Sequence, residues 1–300
     1  MRRFKAVLVT ACLALLVALG LTTCDQGTKK VKIRLKFKPG MNLAYQQVTR
    51  GLIQVADPAR QNTLSKEYVE TTMDISMLVR RVLEDSTAEM ITGKKWRRRV
   101  RNMLDQTTTD TVREDLEEGE SLIEYVKPNG RMVGVEFASD TVDCSLEYLE
   151  EYYEQGSAVF PDAEVGQGHS WTQTTTVVLP DGPVEASTTY TIKSFARERG
   201  YDCVVVEYDG VMILPLPLHT GERYDVISGV DNITSKGHLY FAYKEGMMVL
   251  FRERWVLHSD RTIVRKEADT LFGYEPGDTI ALNVGIEYDV DYYLTDARWP

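Results

Sequence analysis

Histidine and cysteine are scarce in this chain, which has four of each among its 300 residues. The four histidines show no HExxH-type spacing, and the cysteines form no zinc-binding pattern. The sequence also lacks a GxSxG elbow, an SxxK motif and a glycine-rich loop that opens a helix. We therefore expect no metal, no cofactor and no catalytic residues that a motif identifies. Hydrolase residues could still meet from distant positions, because catalytic triads are defined by geometry, and the many carboxylates neither support nor exclude glycosidase chemistry.

Long apolar runs are also rare, and the longest covers residues 6–19, which Thr10 alone interrupts. Three basic residues precede it, Arg2, Arg3 and Lys5. The run is short for a membrane-spanning helix and is typical of a secretory leader, with a permanent anchor helix as the alternative.

The leader ends in Leu21-Thr-Thr-Cys24, which resembles the lipobox of bacterial lipoproteins. The resemblance implies a signal peptide at 1–23, a lipidated Cys24 and a polar tether at 24–30. It places the protein in the bacterial cell envelope, membrane-anchored and facing the periplasm or the cell surface. The motif prefers a smaller residue than Thr23, and cleavage after Gly20 is the alternative, which would release a free protein.

Without the leader the chain has 32 basic and 45 acidic residues, a net charge of −13. We therefore expect neither nucleic acid nor anionic lipid as the main partner. The two cysteines outside the leader and lipobox, Cys144 and Cys203, either form a disulfide or remain separate thiols.

Alternation of apolar and polar residues predicts mostly strands. It is strict over 31–38 and over Ile280–Tyr292, where 13 residues alternate. One amphipathic helix is predicted at 140–156, with Asp140 as its N-cap. Its apolar stripe consists of Val142, Leu146, Leu149 and Tyr153.

The strand pattern on one side of this helix resembles the pattern on the other side, in three short motif pairs in the same order. These are Gly40–Leu43 with Gly168–Trp171, Thr71–Ile75 with Thr188–Ile192, and Gly130–Val133 with Gly246–Val249. We therefore expect a mainly β (α+β) protein with two similar curved antiparallel sheets and one central amphipathic helix. The sheets would cover 31–139 and 164–265, and the strand region 270–300 would return to the sheet.

The lipobox together with Val165–Trp171 and Gly237–Gly246 resembles bacterial envelope lipoproteins of unknown function with a duplicated half-barrel domain. The plan is also similar to that of the lipoprotein-carrier superfamily. These resemblances imply a curved sheet and lipid handling, and they bring no catalytic residues.

The basic run from Lys94 to Arg101 is a candidate anion site. In a strand, Lys95, Arg97, Arg99 and Arg101 share one face and could bind a phospholipid head group or an acidic glycan. The alternative is a solvated face neutralised by the chain's own acids. The acidic face of the C-terminal strand, with Glu287, Asp289 and Asp291, predicts that this strand lies near Arg97 and Arg99.

The apolar run 211–218 contains two prolines and predicts either a flexible mouth over a concave sheet or a loop packed on the core. The candidate apolar lining is Met212, Leu214, Leu216, Met247 and Met248. We expect a non-enzymatic envelope lipoprotein, anchored to the membrane, that binds a lipid-like or apolar ligand or an envelope protein partner. The alternative is an envelope hydrolase acting on a glycan or lipid.

Overall fold

The computed structural model describes residues 29–115, 122–137, 158–179, 182–215, 219–220, 224–268 and 273–300. The described residues form strands and turns and no helix. The strands are β1 (Lys30–Val31), β2 (Asn42–Asp57), β3 (Asn62–Val82), β4 (Ala88–Asn102), β5 (Thr108–Asp115), β6 (Leu122–Val126), β7 (Met132–Phe137), β8 (Val165–Gly166), β9 (Ser170–Leu179), β10 (Gly182–Glu198), β11 (Tyr201–Pro215), β12 (His219–Thr220), β13 (Tyr224–Ala242), β14 (Met247–Arg265) and β15 (Thr279–Arg298).

One antiparallel sheet contains almost all of these strands, in the order β7-β6-β4-β3-β2-β15-β14-β13-β11-β10-β9. The strand β5 pairs with β4, β12 pairs with β13, and β1 and β8 form a separate two-stranded sheet. Each half is a meander of neighbouring strands, as expected for antiparallel hairpins. The last strand, β15, lies between the two halves and pairs with β2 on one side and β14 on the other.

The predicted α+β class with a central helix is wrong, because the part of the chain that the structure describes contains strands and no helix. The helix predicted at 140–156 lies outside the described residues. The prediction of two sheets is also wrong, because β15 joins both halves into one sheet. Of the predicted strand at 31–38, only Val31 lies in a strand, β1, and residues 32–38 belong to none.

The segment 29–41, which we call the strap, shows how strongly the sheet curls. The N–H of Leu35 donates to Pro128 O at 2.7 Å, and the next N–H, of Lys36, donates to Gly246 O at 3.0 Å. These acceptors lie in the β6–β7 and β13–β14 turns, whose strands β6 and β14 are five strand spacings apart in the sheet, or about 24 Å if the sheet were flat. Consecutive residues can reach both turns only if the sheet curls around the strap.

We call the end of the sheet at the strap the entry end, and the face turned toward the strap the concave face. The strap places Val31 and Ile33 in a buried cluster on the second half of the sheet. Leu35 packs against that cluster and also against a second one, formed by residues from both halves such as Tyr45 and Val249. The hydrophobic core therefore fills the entry end of the curl.

The entry end contains the same turn twice, at Gly40 and at Gly168. Both glycines have positive φ, +83° and +84°, a conformation that favours glycine. Each donates its N–H to a carbonyl of the neighbouring strand at 2.8 Å, Gly40 to Val79 and Gly168 to Ile192. The structural counterpart of Ile192 is thus Val79. The motif pairs in the sequence match Ile192 to Ile75 instead, which lies four residues earlier than Val79.

Candidate functional site: a groove on the concave face

The concave face is not filled along its whole length. The core occupies the entry end, and a small cluster of Ile263, Tyr274 and Ile280 occupies the opposite end. Between them, strands β4, β3, β2 and β15 form a groove of about 340 Å³. Its lining residues are Thr49, Val69, Thr71, Met73, Trp96, Arg98 and Tyr288.

A glycine shapes the floor of this groove. Tyr288 on β15 lies opposite Gly51 on β2, which in turn lies opposite Val69 on β3. A Cβ at Gly51 would stand 2.1 Å from Tyr288 Cδ1 and 2.2 Å from the Glu287 carbonyl oxygen. The aromatic ring therefore lies across the glycine, a packing that only a residue without a side chain permits.

In the second half of the sheet, beside the groove, another aromatic ring lies across a glycine. Tyr208 lies across Gly237, where an added Cβ would stand 2.6 Å from the tyrosine hydroxyl. Its ring is stacked on that of Phe251, with centroids 5.5 Å apart. Trp255 stacks on Tyr288 at 5.9 Å and so connects the aromatic surface of this half to the groove.

The charged groups at the groove are few. Arg98 points to the concave face, where its positive charge lowers the pKa of Tyr288 while burial raises it by more. In the second half, burial raises the pKa of Glu253, and the neighbouring hydroxyls of Tyr208 and Ser235 offset part of the rise. The groove therefore offers a cation within an apolar and aromatic wall, and a carboxyl with a raised pKa lies on the adjoining surface.

The histidines do not gather at the groove. His258 lines a separate depression of about 280 Å³ with Ser259 and Asp260. His238 Nε2 lies 3.7 Å from Glu207 Oε1, on the face opposite the groove. Among the described residues, no three His, Cys, Asp or Glu side chains come together as metal ligands.

The predicted anion-binding face lies on the outer face of the sheet, away from the groove. Arg99 Nε donates to Asp110 Oδ1 at 2.8 Å, and Arg101 donates to Gln106. Lys95 and Arg97 share this face and border a depression of about 240 Å³. The structure thus keeps the four predicted residues on one face, and the partners of Arg99 and Arg101 lie on the same outer surface.

Trp96 and Arg98 lie on the other face of the same strand, β4, and line the groove. Sequence reasoning placed these two residues together but did not select them. The sequence pattern could have identified them, because Trp96 and Arg98 alternate on one strand face. An aromatic ring beside an arginine on a partly apolar face suits an amphipathic ligand.

The predicted apolar lining is divided between two places. Met247 is 1% exposed, and Met248 packs between the two core clusters, so both contribute to the core. Met212 and Leu214 lie on β11, opposite Ile233 and Asp231. Leu216 lies outside the described residues, as does Cys24.

The acidic face of β15 is neutralised by arginines other than the predicted ones. Arg254 Nη2 lies 2.7 Å from Glu287 Oε2, and Arg252 Nε lies 3.3 Å from Asp291 Oδ1. Arg97 and Arg99 lie on β4, three strands from β15. The prediction that β15 adjoins these two arginines is therefore wrong.

No protein-family model matches the chain, and no curated protein matches it in sequence. Among solved structures, it is similar to lipovitellin, in a structure of lipid–protein interactions, with 8% identity and a TM-score of 0.45 over 88% of this chain and 26% of that one. The translocator domain of the autotransporter NalP from Neisseria meningitidis matches with 9% identity and a TM-score of 0.21, over 95% and 97% of the two chains. An outer membrane channel from Pseudomonas putida F1 matches with 7% identity and a TM-score of 0.20, over 87% and 97%.

The chain spans about a quarter of the length of the lipovitellin chain. All three TM-scores are below 0.5, so we base no argument about function on these likenesses. The resemblance to half-barrel envelope lipoproteins stays a prediction. In the part of the chain that the structure describes, we find no helix long and apolar enough to cross a membrane.

Proposed function

We propose that this protein binds an amphipathic, lipid-like ligand on the concave face of its sheet and catalyses no reaction there. The observation that carries this proposal is the groove of about 340 Å³, whose walls include Val69, Met73, Trp96 and Tyr288. Among the described residues that line it, Arg98 is the charged one. Ligand sites are typically about 300–1,000 Å³, mostly apolar, with a few polar groups that fix orientation. The groove fits that description.

The chemistry of the lining selects the ligand class. Each methylene group that the groove removes from water contributes about 0.8 kcal/mol. The guanidinium of Arg98 can bind a carboxylate or phosphate with two parallel hydrogen bonds. A single alkyl chain that ends in an anionic group satisfies both features. The described residues that line the groove include neither a carboxylate nor a histidine, so we assign it no hydrolytic role.

The test is a binding titration with dodecanoate and with dodecanol, followed by isothermal titration calorimetry. We expect Arg98→Gln to weaken dodecanoate binding by about 10- to 150-fold, because a hydrogen bond to a charged group contributes about 1.5–3 kcal/mol. The same variant leaves dodecanol binding unchanged, whereas Trp96→Ala weakens the binding of both ligands.

Arg97→Gln is the matched control, since it removes the same charge from the same strand on the outer face. Equal losses for Arg97→Gln and Arg98→Gln, or a wild-type protein that binds neither ligand, would refute the proposal.

We also propose that the protein works in the bacterial cell envelope, held by a lipid on Cys24. The support is the lipobox-like Leu21–Cys24 and the short tether that leads from it to the strap. Two or more acyl chains hold a protein stably on a membrane. We expect Cys24→Ser to move the protein from the membrane fraction to the soluble fraction. Persistent membrane attachment with an uncleaved leader would favour the anchor helix instead.

A further inference from the structure

The strap concentrates positive charge in a chain that is acidic overall. Residues 29–38 contain six lysines and arginines and no acidic residue. Apolar residues alternate with them, and the core takes up the apolar side. Val31 and Ile33 are 8% and 0% exposed, whereas Lys30, Lys32 and Lys38 are exposed. Burial of one side of the strap therefore fixes the basic side on the surface of the entry end.

Several acids of the entry end already have basic partners. Arg34 pairs with Asp162, and Lys244 pairs with Asp202. Lys30, Lys32 and Lys38 add three exposed positive charges to this end of the sheet. The ammonium group of Lys38 lies over the Trp299 ring, 5.8 Å from its centroid. Trp299 is 38% exposed, and tryptophan is enriched where proteins meet the membrane–water interface.

The net charge of −13 predicts that anionic lipid is a poor partner for the molecule as a whole. A membrane, however, contacts only one end of the molecule, so the local charge of that end decides the interaction. At physiological ionic strength charges are screened over about 8 Å. Glu287 on β15 lies far along the sheet from the strap and pairs with Arg254, and Asp296, nearer the strap, pairs with Arg298. The exposed strap lysines are therefore among the charges that a membrane would meet at the entry end.

The position of the tether also indicates that the entry end lies near the membrane. Cys24 lies five residues before Lys29, the first described residue, so this stretch of chain can span at most about 18 Å. A lipid on Cys24 would hold the entry end within that distance of the bilayer. The strap lysines are the first part of the described chain that follows the tether.

We propose that the entry end of the sheet docks on an anionic phospholipid surface, with Lys30, Lys32 and Lys38 facing the head groups. This docking is independent of ligand binding in the groove, and it orients the groove with respect to the membrane. Each lysine near an anionic surface strengthens binding about fivefold, so the three together contribute about 100-fold.

The experiment is vesicle flotation of the mature chain from residue 24 with Cys24→Ser, so that no acyl chain contributes. Vesicles contain phosphatidylcholine alone or with about 30% phosphatidylglycerol. We expect binding to the anionic vesicles alone, declining as salt is raised, and a loss of about 100-fold in Lys30→Gln/Lys32→Gln/Lys38→Gln. Thermal unfolding checks that this variant keeps the wild-type stability.

The control variant Lys95→Gln/Arg97→Gln/Arg101→Gln removes the same charge from the outer face of β4, and we expect it to bind like the wild type. Three results would overturn the proposal: no binding of the parent protein, equal binding to neutral vesicles, or a loss in the control that matches or exceeds the loss in the strap variant. Dodecanoate binding, measured on the same samples, separates this outcome from a failure of the groove proposal.

Discussion

Replacing Gly51 by alanine is the sharpest test of how the sheet forms its groove. In the structure, a Cβ at this position would stand 2.1 Å from Tyr288 Cδ1 and 2.2 Å from the Glu287 carbonyl oxygen. The tyrosine ring could swing away, but the carbonyl belongs to the β2–β15 ladder and can move only if the two strands separate locally. We therefore expect Gly51→Ala to be destabilising even though alanine is normally the better strand residue.

The magnitude follows from two opposing terms. Overpacking of this kind costs typically about 1–3 kcal/mol. Replacing a strand glycine by alanine returns about 0.5–1 kcal/mol, because the unfolded chain loses less conformational entropy. The net loss in the free energy of unfolding is about 1–2 kcal/mol, which lowers the melting temperature by roughly 2–8 °C for a chain of this size.

Gly285→Ala supplies the matched control. Gly285 lies on β15 in the same sheet, and nothing stands within 4 Å of a Cβ added there. Urea unfolding should show Gly285→Ala to be as stable as the wild type or slightly more stable. The reasoning fails if the two alanine variants have the same free energy of unfolding.

The double variant Gly51→Ala/Tyr288→Ala separates the two contacts. Removing the ring relieves its clash with the new methyl group and leaves the clash with the carbonyl. The double variant should therefore be more stable than the sum of the two single effects predicts, with a coupling of about 0.5–3 kcal/mol. Since Tyr288 lines the groove, Gly51→Ala should also weaken dodecanol binding.

Three further predictions concern buried polar groups. Tyr274→Phe removes the hydroxyl that donates to Asp57, which is 2% exposed, and should cost about 1–3 kcal/mol at pH 7. The pKa of Asp57 is lowered chiefly by that hydrogen bond, so this difference should shrink in urea unfolding as pH falls toward the folded pKa. Burial raises the pKa of Glu124, so the wild type loses stability as pH rises above about 4.3, the pKa of this group in the unfolded chain. Glu124→Gln should therefore be more stable than the wild type at pH 7 and as stable as the wild type at pH 3. Burial raises the pKa of Cys203 to about 11, so iodoacetamide at pH 8 should modify this thiol in urea and not in the native protein, as peptide mass spectrometry would show.

Local sequence patterns predicted several of the strands, because a strand such as β15 has one face that is more buried than the other. The alternation over Ile280–Tyr292 lies within β15, and the turn residues Gly130 and Gly246 have positive φ and lie between hairpin strands. The same patterns could not predict how far the sheet continues. Two curved sheets and one continuous sheet have the same local periodicity, and only the pairing of β15 with both β2 and β14 distinguishes them.

The partner of a charged strand face is equally hard to predict from sequence. Opposite charges across a strand pair contribute only about 0.2–1 kcal/mol, so any of several basic strands satisfies the acids of β15. The pairing at Arg252 and Arg254 follows from the position of β14 in the meander, where chain connectivity, and not charge, places it beside β15. The strap was mispredicted for a related reason. Residues 31–38 alternate like a strand, but alternation records which side is buried and does not show that a neighbouring strand supplies hydrogen bonds.

The groove depends on this long-range arrangement. Arg98 and Trp96 belong to β4, whereas Tyr288 belongs to β15, almost two hundred residues later, and they line one groove only because β15 returns to β2. Gly51 lets the Tyr288 ring lie across β2 toward β3 and β4. Neither half of the sheet therefore contains the site alone. A substitution in β15 that loosens its pairing with β2 should impair the groove before it affects the core, because the groove lies between the two clusters that hold the ends of the sheet.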